Sequence, residues 1–196
     1  MSRIIAGIAG GQPLKSVPGD ATRPTTDRVK EALFSRLESW DLIAGARVLD
    51  LFAGSGALGI ESASRGARQV VLVEKAPKAA SVCQQNAALI NKVLNTSTVS
   101  VQRGSVDSVL DGYMNAATGL PNRTFDLVLL DPPYPLTEDE LATTLQKISK
   151  VLAENATVMV ERSSRSPEPS WPTELVNFSD KKYGETHLWF AEPVEA

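Results

Sequence analysis

The sequence predicts an α/β protein: a doubly wound, mostly parallel sheet with an antiparallel closing pair and an N-terminal β-hairpin arm. Three observations predict it. Short aliphatic runs recur at 47–52, 69–74, 99–103, 125–130 and 157–161, and amphipathic segments of helical period lie between them, the alternation that crossover helices impose on a parallel sheet. The first run leads into Gly54-Ser55-Gly56, a glycine turn of the kind with which such sheets approach a ligand. The last two runs, 175–178 and 188–190, flank Lys182-Tyr183-Gly184 without space for a helix, so they pair antiparallel. A chain of 196 residues with 42% hydrophobic content fills one such core, which divides it into an arm, 1–20, and one domain, 21–196.

Taken in order, Arg3-Ile4-Ile5-Ala6 and Leu14-Lys15-Ser16-Val17 flank Gly7, Gly10-Gly11 and Pro13 as two short strands around a turn. A hairpin is no crossover unit, so it is expected to lie outside the sheet as an outlying arm. Pro24-Thr25-Thr26-Asp27 supplies a hydroxyl cap and a first-turn acid for a helix running to about Trp40, with Val29, Leu33 and Leu37 on one face. Its place just before the first core strand suits it to cover a ligand there. The strand Arg47 to Phe52 and a helix from Leu58 to Arg65 follow, with Gly66 as terminator. Gln69 to Glu74 forms a strand ending in an acid, and Pro77 opens a helix with Val82, Asn86, Leu89, Ile90 and Val93 inward. Val99 to Arg103 is the third strand, Ser105 to Leu110 a short helix, and 112–124 a loop with Gly112, Gly119 and Pro121. Phe125 to Leu130 is a buried strand stopped by Pro132 and Pro133. Thr137 to Glu140 reads as a capping box ahead of the stripe Leu141, Leu145, Ile148 and Leu152. After the fifth strand, Thr157 to Glu161, the Pro- and Ser-rich stretch 162–172 is a surface connection pinned by Trp171.

No apolar stretch approaches the roughly 20 residues of a membrane-spanning helix, and one cysteine with one histidine makes neither a disulfide framework nor a structural zinc site. The reading is a metal-free, cytoplasmic monomer, with Cys83 and Phe34 as packing and His187 as a strand residue. The net charge of −3 argues against a nucleic-acid partner, but its distribution does not. Residues 1–36 hold Arg3, Lys15, Arg23, Arg28, Lys30 and Arg36 against Asp20, Asp27 and Glu31, a local excess of +3. Such a segment either contacts phosphates or is simply a solvated face.

The chemistry concentrates at Asp131-Pro132-Pro133-Tyr134. The acid ends a parallel strand, and open α/β sheets bind ligands at that carboxyl edge, where strand order reverses. A carboxylate, a rigid proline carbonyl and an aromatic ring suit a flat base bearing an amine; the competing reading is a plain turn. Gly54-x-Gly56-x-x-Gly59 with Glu74 twenty residues beyond Gly54 also fits a dinucleotide fingerprint, which keeps an NAD-dependent dehydrogenase open. Against it stands Asp50, an acid inside the strand that would repel a pyrophosphate. It suits a ligand carrying an ammonium and a sulfonium, as S-adenosylmethionine does.

Asp50-Leu51-Phe52-Ala53-Gly54-Ser55-Gly56 resembles the glycine motif of class I S-adenosylmethionine-dependent methyltransferases, and Asp131-Pro132-Pro133-Tyr134 resembles their amino-methylating motif. Arg3-Ile4-Ile5-Ala6-Gly7, the stretch from Arg23 to Phe34 and Tyr183-Gly184-Glu185-Thr186 extend the likeness to the bacterial 16S ribosomal RNA guanine-N2 methyltransferases over nearly the whole chain. The resemblance implies a Rossmann-like methyltransferase sheet and S-adenosylmethionine as cofactor. It implies that Asp50, Phe52, Gly54 and Gly56 bind the methionine end, Glu74 the ribose hydroxyls, and Ser105 and Val106 the adenine. Many relatives carry an acid where Ser105 stands, and Asp107 lies two residues late to replace it. Asp131, Pro132 and Tyr134 are implied as catalytic, and Arg3, Lys15, Arg23, Thr25 and Arg28 as contacts to 16S ribosomal RNA in the small subunit. Similar Pro-Pro-aromatic motifs serve adenine-N6 and protein-glutamine methyltransferases, and a non-catalytic RNA-binding protein is the alternative of another class.

Overall fold

Runs buried on both sides become the middle of a layered sheet, and the computed structural model, which describes residues 2–19, 25–115 and 125–195, places them so. In chain order the elements are β1 (Ser2–Arg3), β2 (Pro13–Leu14), α1 (Asp27–Ser39), β3 (Arg47–Leu51), α2 (Ala57–Ser64), β4 (Gln69–Glu74) and α3 (Pro77–Leu94), then β5 (Val99–Arg103), α4 (Val106–Asn115), β6 (Phe125–Leu130), α5 (Glu138–Ile148), β7 (Leu152–Ser163), β8 (Leu175–Tyr183) and β9 (Thr186–Pro193). The large sheet has the order β5-β4-β3-β6-β7-β9-β8. Its first five strands run parallel, and β9 pairs antiparallel with both β7 and β8. The chain leaves β3 outward through β4 and β5, then returns to β6 on the other side of β3. That reversal is where α/β sheets open a crevice.

Alternate residues divide between two cores. Val48, Val70, Leu72, Leu127 and Leu129 pack with α1, α2 and α3, while Leu49, Leu51, Val71, Val73, Val128 and Leu130 pack with α4 and α5. Thr26 caps α1 by accepting from the Val29 N–H at 3.3 Å, and the capping box Thr137/Glu140 opens α5.

Several boundaries differ from expectation. α4 continues to Asn115 because Tyr113 and Met114 pack on the second core and the Tyr113 ring meets Phe125 edge-on at 5.1 Å; residues 116–124 of the expected loop lie outside the described residues. β7 begins at Leu152, which is strand and not the end of a helical stripe. β8 and β9 are longer than their apolar centres, since ladder hydrogen bonds carry the pairing through polar residues to Tyr183↔Thr186. Val93 is 41% exposed, and the small residues Ala79, Ala80, Cys83 and Ala87 face inward from α3 in its place.

The hairpin exists, but it is not outlying. Ile4, Ala9 and Leu14 are buried in the first core, and the loop between β1 and β2 lies along α2. The N–H groups of Ile5 and Ala6 donate to the Glu61 carboxylate at 2.9 and 3.0 Å, and the Ile8 N–H donates to the Ser64 carbonyl at 2.9 Å. At Gly7, φ is +83°, and a Cβ would fall 2.0 Å from the Ser64 carbonyl oxygen, so only glycine permits this approach.

Candidate active site

Strand register brings the acids to one row. β3 pairs Leu51 with Val73 and with Leu130, and β6 pairs Leu130 with Val160, so the next residues of β4, β6 and β7 are Glu74, Asp131 and Glu161 at one carboxyl edge. Asp50 sits one pleat deeper on the same face. All four carboxyls therefore crowd the opening at which the strand order reverses.

The glycine turn is shaped for a close approach. Phe52 and Gly54 both have φ near +60°, an expensive setting for a phenylalanine and one that clusters at functional sites. A Cβ on Gly54 would meet nothing within 4 Å, so the turn faces open space there. On the inner side a Cβ on Gly56 would press on Leu72 at 2.9 Å and one on Gly59 on Leu72 at 2.2 Å, which lets α2 lie tight against β4. Asp50 is buried with Oδ2 accepting from the Gly59 N–H at 2.9 Å; burial pushes its carboxyl up to about 8, with further repulsion from Asp131 and Glu74. It holds the start of α2 and does not reach the surface. Glu74 accepts from the Gly54 N–H at 2.7 Å and the Ala76 N–H at 2.8 Å, so it braces the turn. Ser105 Oγ accepts from the Ser108 N–H at 3.1 Å at the head of α4, and Val106 is buried in the second core. Asp107 pairs with Lys147.

On the acceptor side, Pro132 is buried and Tyr134 is 70% exposed, a large ring presented to solvent. Arg162 donates to the Leu136 carbonyl and pairs with Glu138, which holds the loop after Tyr134 against β7. Thr25 stands between two acids. Its hydroxyl lies 3.2 Å from Asp131 Oδ2 and 3.2 Å from Glu161 Oε2. Burial raises both carboxyls: Asp131 reaches about 6, held back by Thr25, and Glu161 reaches about 8 with the Asp131 charge beside it. Sequence reasoning gave Glu161 no role. The available signal was an acid ending the fifth strand, as Glu74 and Asp131 end theirs.

The basic contacts are dispersed. Arg28 and Lys15 are exposed, Lys15 Nζ meeting Gln85; Arg3 is exposed but paired with Asp27 at 3.2 Å; Arg23 lies outside the described residues. Asn86, read as part of an inner helical stripe, is a clamp. Its side chain accepts from the Lys15 N–H at 2.9 Å and donates to the Lys15 carbonyl at 3.0 Å and the Ser55 carbonyl at 2.9 Å, tying the chain after β2 to the glycine turn. Asn86→Ala should lower stability by about 1–3 kcal/mol, because it leaves part-buried backbone groups unpaired. Denaturant titration measures this, and an unshifted midpoint would show the clamp to be inert. The residues kept out of the site stay out. Cys83 and Phe34 are fully buried, burial pushing the Cys83 thiol up, and His187 is a β9 residue with Nε2 2.7 Å from Asp180 and its ring against Trp189.

The raised acids set a pH dependence. Asp50, Asp131 and Glu161 bind protons more tightly folded than at their ordinary values of 3.8, 3.8 and 4.5, so their contribution is full below those values and is lost as pH rises through about 6 to 8. The ligand-free protein should therefore be more stable at about pH 6 than at about pH 8, measured as the urea midpoint. A midpoint that rises over this interval refutes the assignment.

Among the described residues no helix is long and apolar enough to cross a membrane. The chain is 36% identical over 167 residues to ribosomal RNA small subunit methyltransferase D of Haemophilus influenzae, covering 84% of this chain and 80% of that protein. It is 32% identical over 183 residues to the protein of the same name in Escherichia coli K12, covering 93% and 85%. The whole fold superposes on a solved hypothetical protein of Thermus thermophilus with a TM-score of 0.76 at 28% identity, covering 98% of this chain and 99% of that one. The family model described as Conserved hypothetical protein 95 matches residues 2–192, and the chain belongs to that family, as its glycine and Asp-Pro-Pro-Tyr motifs led one to expect.

Proposed function

We propose that this chain transfers a methyl group from S-adenosylmethionine to the exocyclic N2 amine of a guanine in 16S ribosomal RNA, acting as a cytoplasmic monomer on a small-subunit particle. The observation that carries the reading is the half-buried Asp131 carboxyl beside an exposed Tyr134, set across the strand-order reversal from the glycine turn. The residues present fit the cofactor: Gly54 opens onto free space, and the Glu74 carboxylate that braces the turn suits a cation. Phe52, Gly54 and Gly56 would hold its methionine end with Asp50 behind them, Glu74 the ribose hydroxyls, and Ser105 and Val106 the adenine. When bound, the cofactor supplies an electrophilic methyl group.

The protein's task is to make a poor nucleophile available. The lone pair of the guanine amine is delocalised into the ring; N–H bonds donated to Asp131 and to the Pro132 carbonyl favour a pyramidal nitrogen and free that pair. Positive charge grows on nitrogen during transfer, so a preorganised carboxylate stabilises the transition state more than the ground state. Tyr134 stacks on the unpaired base, a contact worth roughly 1–3 kcal/mol. Arg3, Lys15, Arg23 and Arg28 would meet RNA phosphates, while the Thr25 hydroxyl serves Asp131 and Glu161 instead. An acidic protein with so small a basic surface takes its specificity from the shape of a folded target.

The test is methyl transfer from labelled cofactor to small-subunit particles lacking the modification, to naked RNA and to DNA, with nucleosides identified. The expected product is N2-methylguanosine, formed better on particles. Label in N6-methyladenosine, or equal transfer to DNA, selects the adenine alternative. Calorimetric binding of NAD without binding of S-adenosylmethionine selects the dehydrogenase, and binding without any transfer selects the non-catalytic RNA-binding protein.

A further inference from the structure

Parallel register makes Asp131, just past β6, and Glu161, two residues before the end of β7, neighbours, and one hydroxyl, that of Thr25, lies 3.2 Å from an oxygen of each. A threonine hydroxyl owns one hydrogen, so it donates to one carboxylate only. The other oxygen–oxygen contact is attractive only when that carboxyl brings a proton of its own and donates it into the lone pair of Thr25. Two ionised carboxylates on either side of one hydroxyl would repel each other.

We propose that Glu161 is a positioning residue: it keeps one proton and donates it to the Thr25 hydroxyl, which donates in turn to Asp131 and leaves that carboxylate ionised and oriented toward the acceptor amine. The direction follows from what each end faces. Asp131 adjoins Pro132 and Tyr134, where an amine must find an acceptor, whereas Glu161 pairs across the sheet with the apolar Leu188. The higher proton affinity of Glu161, near 8 against about 6 for Asp131, agrees with this order. The surrounding charges do not alter it. Asp50 of β3 and Glu74 of β4 are acids; Arg162 is turned to Glu138, His187 to Asp180, and Lys30 of α1 to Glu61 and the Arg3 carbonyl.

The inference rests on the methyl-transfer reading for its use, but the stored proton is a property of the protein alone. In turnover the amine exchanges one proton for the methyl group. The N–C bond would form from the amine lone pair as the methyl–sulfur bond of the donor breaks with its pair left on sulfur; the N–H bond breaks with its pair left on nitrogen, the proton joins Asp131, and Asp131 releases it to water. Glu161 is already protonated and serves only to hold the chain of hydrogen bonds in one direction.

Two measurements test this. Infrared spectra of the full chain labelled with 13C-glutamate should show a protonated glutamic-acid carbonyl band at neutral pH that titrates away near pH 8. Asp50 contributes a separate band that shifts only with aspartate labelling. In the transfer assay, Glu161→Ala should lower kcat by about tenfold with KM little changed, and Glu161→Gln, shaped like the protonated acid, should restore most of that loss and flatten the alkaline limb of the pH profile. Absence of the glutamic-acid band, or a Gln variant as slow as Ala, overturns the proposal. If no RNA is methylated by the wild-type protein, the functional reading fails while the infrared band still decides the proton.

Discussion

Asp131→Ala should slow methyl transfer by about 10²- to 10³-fold, the loss typical of removing one preorganised group that stabilises charge developing in a transition state. Cofactor affinity should change little, because the Asp131 side chain meets Thr25 and the acceptor side, while the glycine turn is braced by Glu74 and Asn86. The loss should fall on kcat, since the bond from Asp131 to the amine strengthens as nitrogen gains charge. Asp131→Asn should retain more activity than alanine, its amide oxygen still accepting an N–H bond. Single-turnover rates with calorimetry of cofactor binding separate the two effects. An alanine variant at wild-type rate, or one whose only defect is weak cofactor binding, removes Asp131 from the chemistry.

What could be read without coordinates followed the strength of the local signal. The strands 69–74 and 125–130 were legible to the residue, because a run with both faces buried is written in composition and stopped by an acid, while the edge strand 99–103, buried only at Val99, was bounded by Gly104. β8 and β9 were legible only at their apolar centres, since an edge hairpin is extended by ladder hydrogen bonds that any side chain allows. Asp131, Tyr134 and the glycine turn were readable as motifs. The partners of Asp131 were not: Thr25 and Glu161 are 136 positions apart, and only the register of β6 on β7 and the path of the chain before α1 bring them together. Asn86 showed its buried face through helical period, but nothing in the period says that its amide binds the backbone of Lys15 and Ser55. The hairpin failed differently. Because it is no crossover unit it was expected to stand apart as an arm, while its backbone N–H groups find acceptors on α2.

That docking makes Glu61→Ala the substitution expected to cost most in stability, about 3–5 kcal/mol, the range for removing one partner of a buried ion pair. The sequence did contain a sign of it. Lys30, Leu33, Phe34 and Leu37 follow the i, i+3, i+4, i+7 spacing of a buried face, with a lysine in the first place. Both side chains are out of solvent, Lys30 at 1% and Glu61 at 0% exposure. Burial pulls the Lys30 pKa down, and Glu61, 3.9 Å away, is the first opposing influence. The same carboxylate accepts from the backbone of Ile5 and Ala6 and pairs with Arg65 at 2.9 Å, so alanine strands two N–H groups and leaves Lys30 and Arg65 without their buried partner. Loss of Glu61 should therefore free residues 2–14 from α2 and expose Ile4, Ala9 and Leu14, with faster amide exchange there than in β3 or β6. Truncating residues 1–17 should destabilise the core for the same reason, beyond any loss of RNA contacts. Guanidinium denaturation and hydrogen exchange of Glu61→Ala and of the double variant Lys30→Met, Glu61→Leu provide the check. The double variant should recover part of the loss, since it removes the stranded Lys30 charge, while Arg65 keeps its pair with Glu38. A single variant within about 0.5 kcal/mol of wild type, the spread of ordinary surface substitutions, would show that the hairpin is held by its apolar residues alone.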